Sequence, residues 1–242
     1  MVVVYFSGTG NTRHLAKLLA SRINSQAVSI EDNDAYYKIS ISDEIVFAFP
    51  VYSSGLPEIV RNFIDNNGIL WNKKNIFIFV TAGMMYGPSI GIAACLLKSY
   101  GANILGSEFF KMPDCIGDVK LIVTLLPRRK NPQTILKSDS KMVELATKII
   151  NKEYPQVGLS IKLKPNALEK HSSSLKPKID LDKCNNCRLC RKTCPSPDKC
   201  TQCYRCFSIC PRQAITIMGK KVFTQYLYDD DNDKHLENVN SI

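Results

Sequence analysis

The chain has no apolar run of the length that a membrane-spanning helix needs, which excludes such a helix. No positively charged stretch precedes its first apolar residues, Val2 to Phe6. A secretory signal is therefore not expected, and a cytoplasmic location is. Histidine is scarce at three residues and tryptophan occurs once. His14 falls on the first helix, toward its outer or phosphate side. His171 and His235 fall in polar stretches and read as solvated, while Trp71 reads as packing. Cysteine is not scarce, but its ten residues are not spread as a disulfide framework would spread them. Cys95 is read as core and Cys115 as an ordinary loop thiol. The other eight lie between residues 184 and 211. With 45% hydrophobic and 22% charged residues the composition is that of a globular protein, and 242 residues suffice for one large core and a second, small unit.

The eight clustered cysteines form two copies of one pattern: Cys184-x2-Cys187-x2-Cys190-x3-Cys194-Pro195 and Cys200-x2-Cys203-x2-Cys206-x3-Cys210-Pro211. Three cysteines at two-residue gaps can wrap three corners of an iron–sulfur cubane, while the fourth faces away toward a neighbouring cluster. Structural zinc needs only two close pairs, without a third cysteine or an x3-Cys-Pro ending. The doubled pattern resembles bacterial-type ferredoxins with two [4Fe–4S] clusters. That resemblance implies one cluster on Cys184, Cys187, Cys190 and Cys210, and the other on Cys200, Cys203, Cys206 and Cys194. It departs from the family in the spacer "PSPDK" (195–199), which is five residues long. Six residue steps still reach about 20 Å, and in this scheme Cys194 and Cys200 bind the same cluster, so the fold survives. The missing cover would leave one cluster more exposed.

At the other end "FSGTGNT" (6–12) follows a strand-like run and opens a helical pattern with Leu15, Leu18, Leu19 and Ile23. Backbone N–H groups in such a loop, with the helix's positive end, make an anion site. A dinucleotide fingerprint would need glycine at position 13, where Arg13 stands, and a Walker loop would need Gly-Lys-Ser/Thr. The hydroxyl-rich loop resembles the phosphate loop of flavodoxins, which bind FMN without a basic side chain there. The resemblance implies cofactor contacts from Ser7, Gly8, Thr9, Gly10, Asn11 and Thr12. It extends to two further loops, Pro50, Val51, Tyr52, Ser53, Ser54 and Gly55, then Thr81, Ala82, Gly83, Met84, Tyr86 and Gly87. Tyr52 or Tyr86 would lie against the flavin ring. Neither loop carries an acid.

Strand-like "EIVFAFP" and "NIFIFVTAG", weaker "AVSI", and helical "IGIAACLLKSYG" and "SKMVELATKIINKEY" alternate through the first part of the chain. Alternation of this kind predicts an α/β fold with a parallel sheet covered on both faces. The flavodoxin resemblance implies a doubly wound sheet of order 2-1-3-4-5, followed by a small α+β ferredoxin-like domain. The expected divisions are 1–154 for the FMN domain, 155–178 for a linker, 179–218 for the two-cluster domain and 219–242 for a polar tail. The linker has three prolines, four serines and five lysines. No aromatic residue interleaves with its charges, so it reads as a tether and not as a nucleic-acid strip.

The formal charge is +10. Two clusters and a flavin phosphate would lower it to about +4, which favours acidic docking partners through encounter rate and does not indicate nucleic acid. The whole resembles the flavodoxin–ferredoxin fusions called ferrodoxins. It implies an intracellular electron carrier working between FMN, two [4Fe–4S] clusters and redox partner proteins such as ferredoxin-dependent oxidoreductases. The alternative is an iron–sulfur flavoenzyme reducing a small molecule or oxidising NAD(P)H. The carrier is favoured because the sequence has no second dinucleotide fingerprint, no substrate domain and no acid–base constellation beside the flavin loops.

Overall fold

Strand β1 (Val2–Tyr5) alternates strictly between two cores. Val2 and Val4 join one apolar cluster, and Val3 and Tyr5 the other. The same two-residue period runs through β3 (Glu44–Pro50), where Ile45, Phe47 and Phe49 face one side and Val46 and Ala48 the other. It recurs in β4 (Asn75–Ala82), with Ile76, Ile78 and Val80 opposed to Phe77 and Phe79. Successive side chains of a strand point to opposite faces, so strands apolar on both sides must be buried on both. The computed structural model describes residues 1–52, 55–113, 132–159, 177–196, 198, 200–217 and 225–228.

With β2 (Ala27–Ser29) and β5 (Asn103–Lys111) these strands form a five-stranded parallel sheet of order β2-β1-β3-β4-β5, the order expected. One face is covered by α1 (Asn11–Arg22) and α5 (Pro132–Ile150), through Leu15, Leu19, Met142, Leu145 and Ile149. The other is covered by α2 (Ala35–Ser40), α3 (Glu58–Asn66) and α4 (Ser89–Ser99), joined by a short 3-10 turn at Gly68–Trp71. Trp71 is packing, as expected: it is fully buried, donates from Nε1 to the Ile64 carbonyl at 2.9 Å, and sits edge-on to Phe47. Cys95 is half-buried on α4. Cys115 lies outside the described residues.

Two connecting segments lie against the sheet domain. The start of the expected linker is bound to the sheet edge: Ser107 N–H donates to the Pro155 carbonyl at 2.7 Å and Val157 N–H to the Ser107 carbonyl at 3.1 Å. An edge strand offers unpaired backbone groups, and this segment takes them. At the start of the expected tail, Gln225–Tyr228 fold back onto the phosphate loop; residues beyond Tyr228 lie outside the described residues.

The cysteine unit is small. Strands β6 (Pro177–Ile179) and β7 (Ile215–Ile217) pair antiparallel, and two one-turn helices, α6 (Leu189–Lys192) and α7 (Arg205–Ser208), precede the fourth cysteine of each repeat. Its own core is Tyr204, Phe207, Ile215 and Ile217, with Cys190, Cys206 and Cys210 packed against it.

Candidate functional site

The three loops singled out from the sequence all lie at the carboxyl ends of their strands, around the β1/β3 switch point where this strand order places a ligand. Gly10 turns the chain into α1 with φ of 100°, a left-handed conformation that glycine adopts without steric cost. The Ser7 hydroxyl accepts from Gly10 N–H at 3.1 Å and closes the loop from within. Thr12 and Thr81 share a buried hydroxyl–hydroxyl bond of 2.8 Å, which ties the helix start to the end of β4. Val51 N–H donates to the Thr81 carbonyl at 2.9 Å, so the second and third loops are also joined. Tyr52 and Gly55 exchange backbone bonds. Ser53 and Ser54 lie outside the described residues. In the third loop Met84 and Met85 are exposed. Tyr86 packs on Phe109, with ring centroids 5.2 Å apart, and beside Gly158.

The two cysteine repeats have the same backbone. The second residue of the first gap is left-handed in both, Asn186 at φ 56° and Gln202 at 57°, and so is the residue after the middle cysteine, Arg188 at 60° and Tyr204 at 58°. Those reversals curl each loop around its own interior. They cost about 1–2 kcal/mol at each non-glycine position. Four core side chains worth roughly 1.5–3 kcal/mol apiece do not offset that cost and the chain entropy together.

The thiols fall into two neighbourhoods. Cys184, Cys187, Cys190 and Cys210 line one cavity of about 450 Å³. Cys206 senses the charges of Cys203, Cys200 and Cys194, after burial, which contributes most to pushing its thiol up to about 12. Burial also pushes the Cys203 thiol up. Thiols held protonated in this way lose their protons when they ligate metal. Among the described residues no three His, Cys, Asp or Glu side chains converge on a single-ion site.

The second set meets the phosphate loop directly. Tyr52 donates its hydroxyl to the Cys203 carbonyl at 3.4 Å, and its ring stands edge-on to Tyr204 at 6.1 Å. Arg205 reaches from the same cysteine loop and donates to the carbonyls of Ser7 (2.8 Å), Gly8 (3.2 Å) and Thr193 (3.0 Å). It also pairs with both oxygens of Glu31. Burial works against the guanidinium charge, but Glu31, with smaller help from Cys203 and Tyr52, holds Arg205 above the ordinary arginine value. A Cβ on Gly8 would stand 2.4 Å from the Cys203 carbonyl oxygen. Beyond it Tyr228 N–H donates to the Thr9 carbonyl at 2.8 Å, Arg13 to the Tyr228 carbonyl at 3.0 Å, and Tyr226 to the Asn11 side chain at 2.5 Å.

A flavodoxin domain model matches residues 2–90, and two 4Fe-4S binding domain models match residues 181–196 and 196–215. The chain has the make-up of a flavodoxin–ferredoxin fusion. No curated protein matches it. Among solved structures it is similar to two-electron reduced Megasphaera elsdenii flavodoxin, at 20% identity and TM-score 0.43 over 61% of this chain and 99% of that one. The Trp repressor binding protein of Bacillus subtilis is similar at 17% identity and TM-score 0.45, over 62% and 97%. Rubredoxin oxygen:oxidoreductase of Desulfovibrio gigas is similar at 16% identity and TM-score 0.43, over 62% of this chain and 36% of that one.

The flavodoxin domain implies FMN and the ferredoxin unit implies two [4Fe–4S] clusters. The donor sets fit. Ser7, Thr9 and Thr12 bring buried hydroxyls to the N-terminal end of α1, and the outer cysteine set lines a cavity of its own. The sequence pointed to these loops and to all eight thiols. It did not point to Arg205, Glu31, Tyr226 or Tyr228, which join the ferredoxin unit and the 225–228 segment to the phosphate loop. Nor did it pair His14 with Asp139, whose carboxylate lies 2.7 Å from Nε2, or stack it on Tyr228. Contacts between residues 125 to 219 positions apart leave no periodic signal.

Proposed function

We propose that this electron-transfer protein passes electrons between FMN and redox partner proteins, with the Cys194/Cys200/Cys203/Cys206 cluster next to the flavin and the Cys184/Cys187/Cys190/Cys210 cluster farther out. The observation that carries the reading is the bond from Tyr52, in the loop after β3, to the Cys203 carbonyl. When bound, flavin exchanges one or two electrons and a cubane exchanges one, so the pair can split a two-electron input into single steps. The residues of the chain hold and position. Ser7, Thr9, Gly10, Asn11 and Thr12 would take the phosphate, and Tyr52, Gly55, Thr81 and Gly83 would border the ring. Tyr52 is the better candidate than Tyr86 for the ring contact, since its loop also meets the inner cysteine loop. Arg205 holds the inner cysteine loop on the phosphate loop, and Tyr52 and Tyr204 exclude water between them.

Rapid mixing under anaerobic conditions tests the reading. Reduction through the clusters followed by flavin bleaching at a rate independent of protein concentration is expected. Independent reduction of the two chromophores, with no internal exchange, would overturn it.

A further inference from the structure

The two cysteine sets differ in what surrounds them. The inner set is covered by the flavodoxin domain, and its Cys203 is 7% exposed. The outer set is open: Cys187 and its neighbours Asn185, Asn186, Arg188 and Leu189 are exposed. Among the described residues that line its cavity stand Arg188, Arg191 and Arg212, and no carboxylate. All three arginines are exposed. The carboxylate of Asp180, on the preceding turn, is engaged by Lys183. Apolar surface lies beside the ring: Leu189 is 39% exposed, Ile179 52% and Leu181 80%.

Asp182, beside Leu181, is exposed and acidic, but the rim at the cavity itself is basic; apolar surface next to a basic rim is how redox surfaces steer an encounter without holding it long. The net charge of the chain has the same sign. We infer that this face, centred on Cys187 and ringed by Arg188, Arg191 and Arg212, is the docking surface for an acidic one-electron redox protein. The inference rests on the electron-carrier reading above. In each encounter one electron crosses the face, one centre is oxidised by one unit and the other reduced by one, and no bond forms or breaks. Neutralising the outer cluster's own charge would also use arginines, but that role predicts a shifted potential with unchanged association.

The test uses the full-length protein, anaerobic and loaded, with iron content and reducible absorbance confirmed first. The association constant for an acidic plant-type [2Fe–2S] ferredoxin is measured calorimetrically between low and moderate salt, with a basic c-type cytochrome as the control. We expect at least tenfold weakening for the acidic probe over that range, no measurable binding of the control, and at least tenfold weakening in Arg212→Glu at fixed salt. Arg191→Gln, which keeps bulk and cluster ligation, is expected to weaken association several-fold. Salt-independent or equal binding of both probes overturns the inference, as does unchanged affinity in both variants. Residues 229–237 include Asp229, Asp230, Asp231, Asp233 and Glu237. If the probe binds only after truncation beyond Tyr228, the face belongs to that acidic run and the inference is overturned. Absence of iron would overturn the carrier reading as well, and so distinguishes the two failures.

Discussion

Arg205 and Glu31 are 174 residues apart in sequence and form a two-pronged ion pair, 2.9 Å from Nη1 to Oε1 and 2.7 Å from Nη2 to Oε2. Both side chains are mostly shielded, at 20% and 28% exposure. Their planes pin the inner cysteine loop to the end of β2 while the same guanidinium holds two carbonyls of the phosphate loop.

Arg205→Lys keeps the charge but loses the fork. Charged hydrogen bonds are worth about 1.5–3 kcal/mol each when shielded, so one or two lost bonds should loosen the junction without unfolding either domain. Amide exchange in residues 5–10 and 200–208 should rise and internal electron exchange should slow at least several-fold. Unchanged exchange protection in both segments would show that the pair holds nothing together.

Cross-ligation makes a sharp expectation for cysteine variants. Cys210→Ser should remove the same spectroscopic centre as Cys184→Ser, and Cys194→Ser the same one as Cys203→Ser. Each variant should fall from about eight irons to about four. Paramagnetic resonance of the reduced proteins checks the pairing. If Cys210→Ser instead matches Cys203→Ser, each repeat ligates its own cluster and the assignment of the outer cavity fails.

Clusters should also be structural. Five left-handed non-glycine residues, Gln213 among them, and a four-residue core cannot hold the 177–217 unit by themselves. Removing iron should therefore unfold that unit, seen as proteolysis confined to it, while the sheet domain keeps its cooperative melt. Survival of the β6–β7 pairing in the iron-free protein would show that the core alone suffices.

The strand and helix pattern was readable because it rests on periodicity. Val2–Phe6 and Ile45–Phe49 alternate, Leu15 and Leu19 repeat, and burial enforces both patterns. Cysteine spacing was readable because cluster geometry dictates it. The α5 helix begins at Pro132, eight residues before the sequence stretch read as helical. Proline at a first helical position was an available signal, but Lys137, Ser138 and Asp139 masked the apolar stripe. The left-handed turns at Arg188 and Tyr204 were hidden because neither is a glycine. The junction was invisible: Glu31 and Arg205 look like ordinary surface residues until the fold brings them together, and Tyr52 was readable only as a flavin-loop residue.

Gly10→Ala should be costly for two separate reasons. The residue would be held at positive φ, and its Cβ would stand 2.1 Å from the Tyr228 carbonyl oxygen. The conformational part alone is about 1–2 kcal/mol; the clash adds displacement of the 225–228 segment. A drop of several degrees in melting temperature, with easier proteolysis near Tyr228, is expected. An unchanged melt would mean that the loop relaxes to another conformation at no cost.

Closure of the phosphate loop by Tyr228 also sets an order in time. Thr9 and Tyr228 are 219 positions apart yet share a backbone hydrogen bond. At ribosomal speeds roughly 10–40 s separate the emergence of one from the other. During that interval the sheet can form while the phosphate loop still lacks its outer wall. A flavin arriving then meets an open cleft; one arriving later must displace or thread past a strap. Biosynthesis in flavin-starved cells should therefore leave a protein that takes up FMN slowly even after the cofactor is restored.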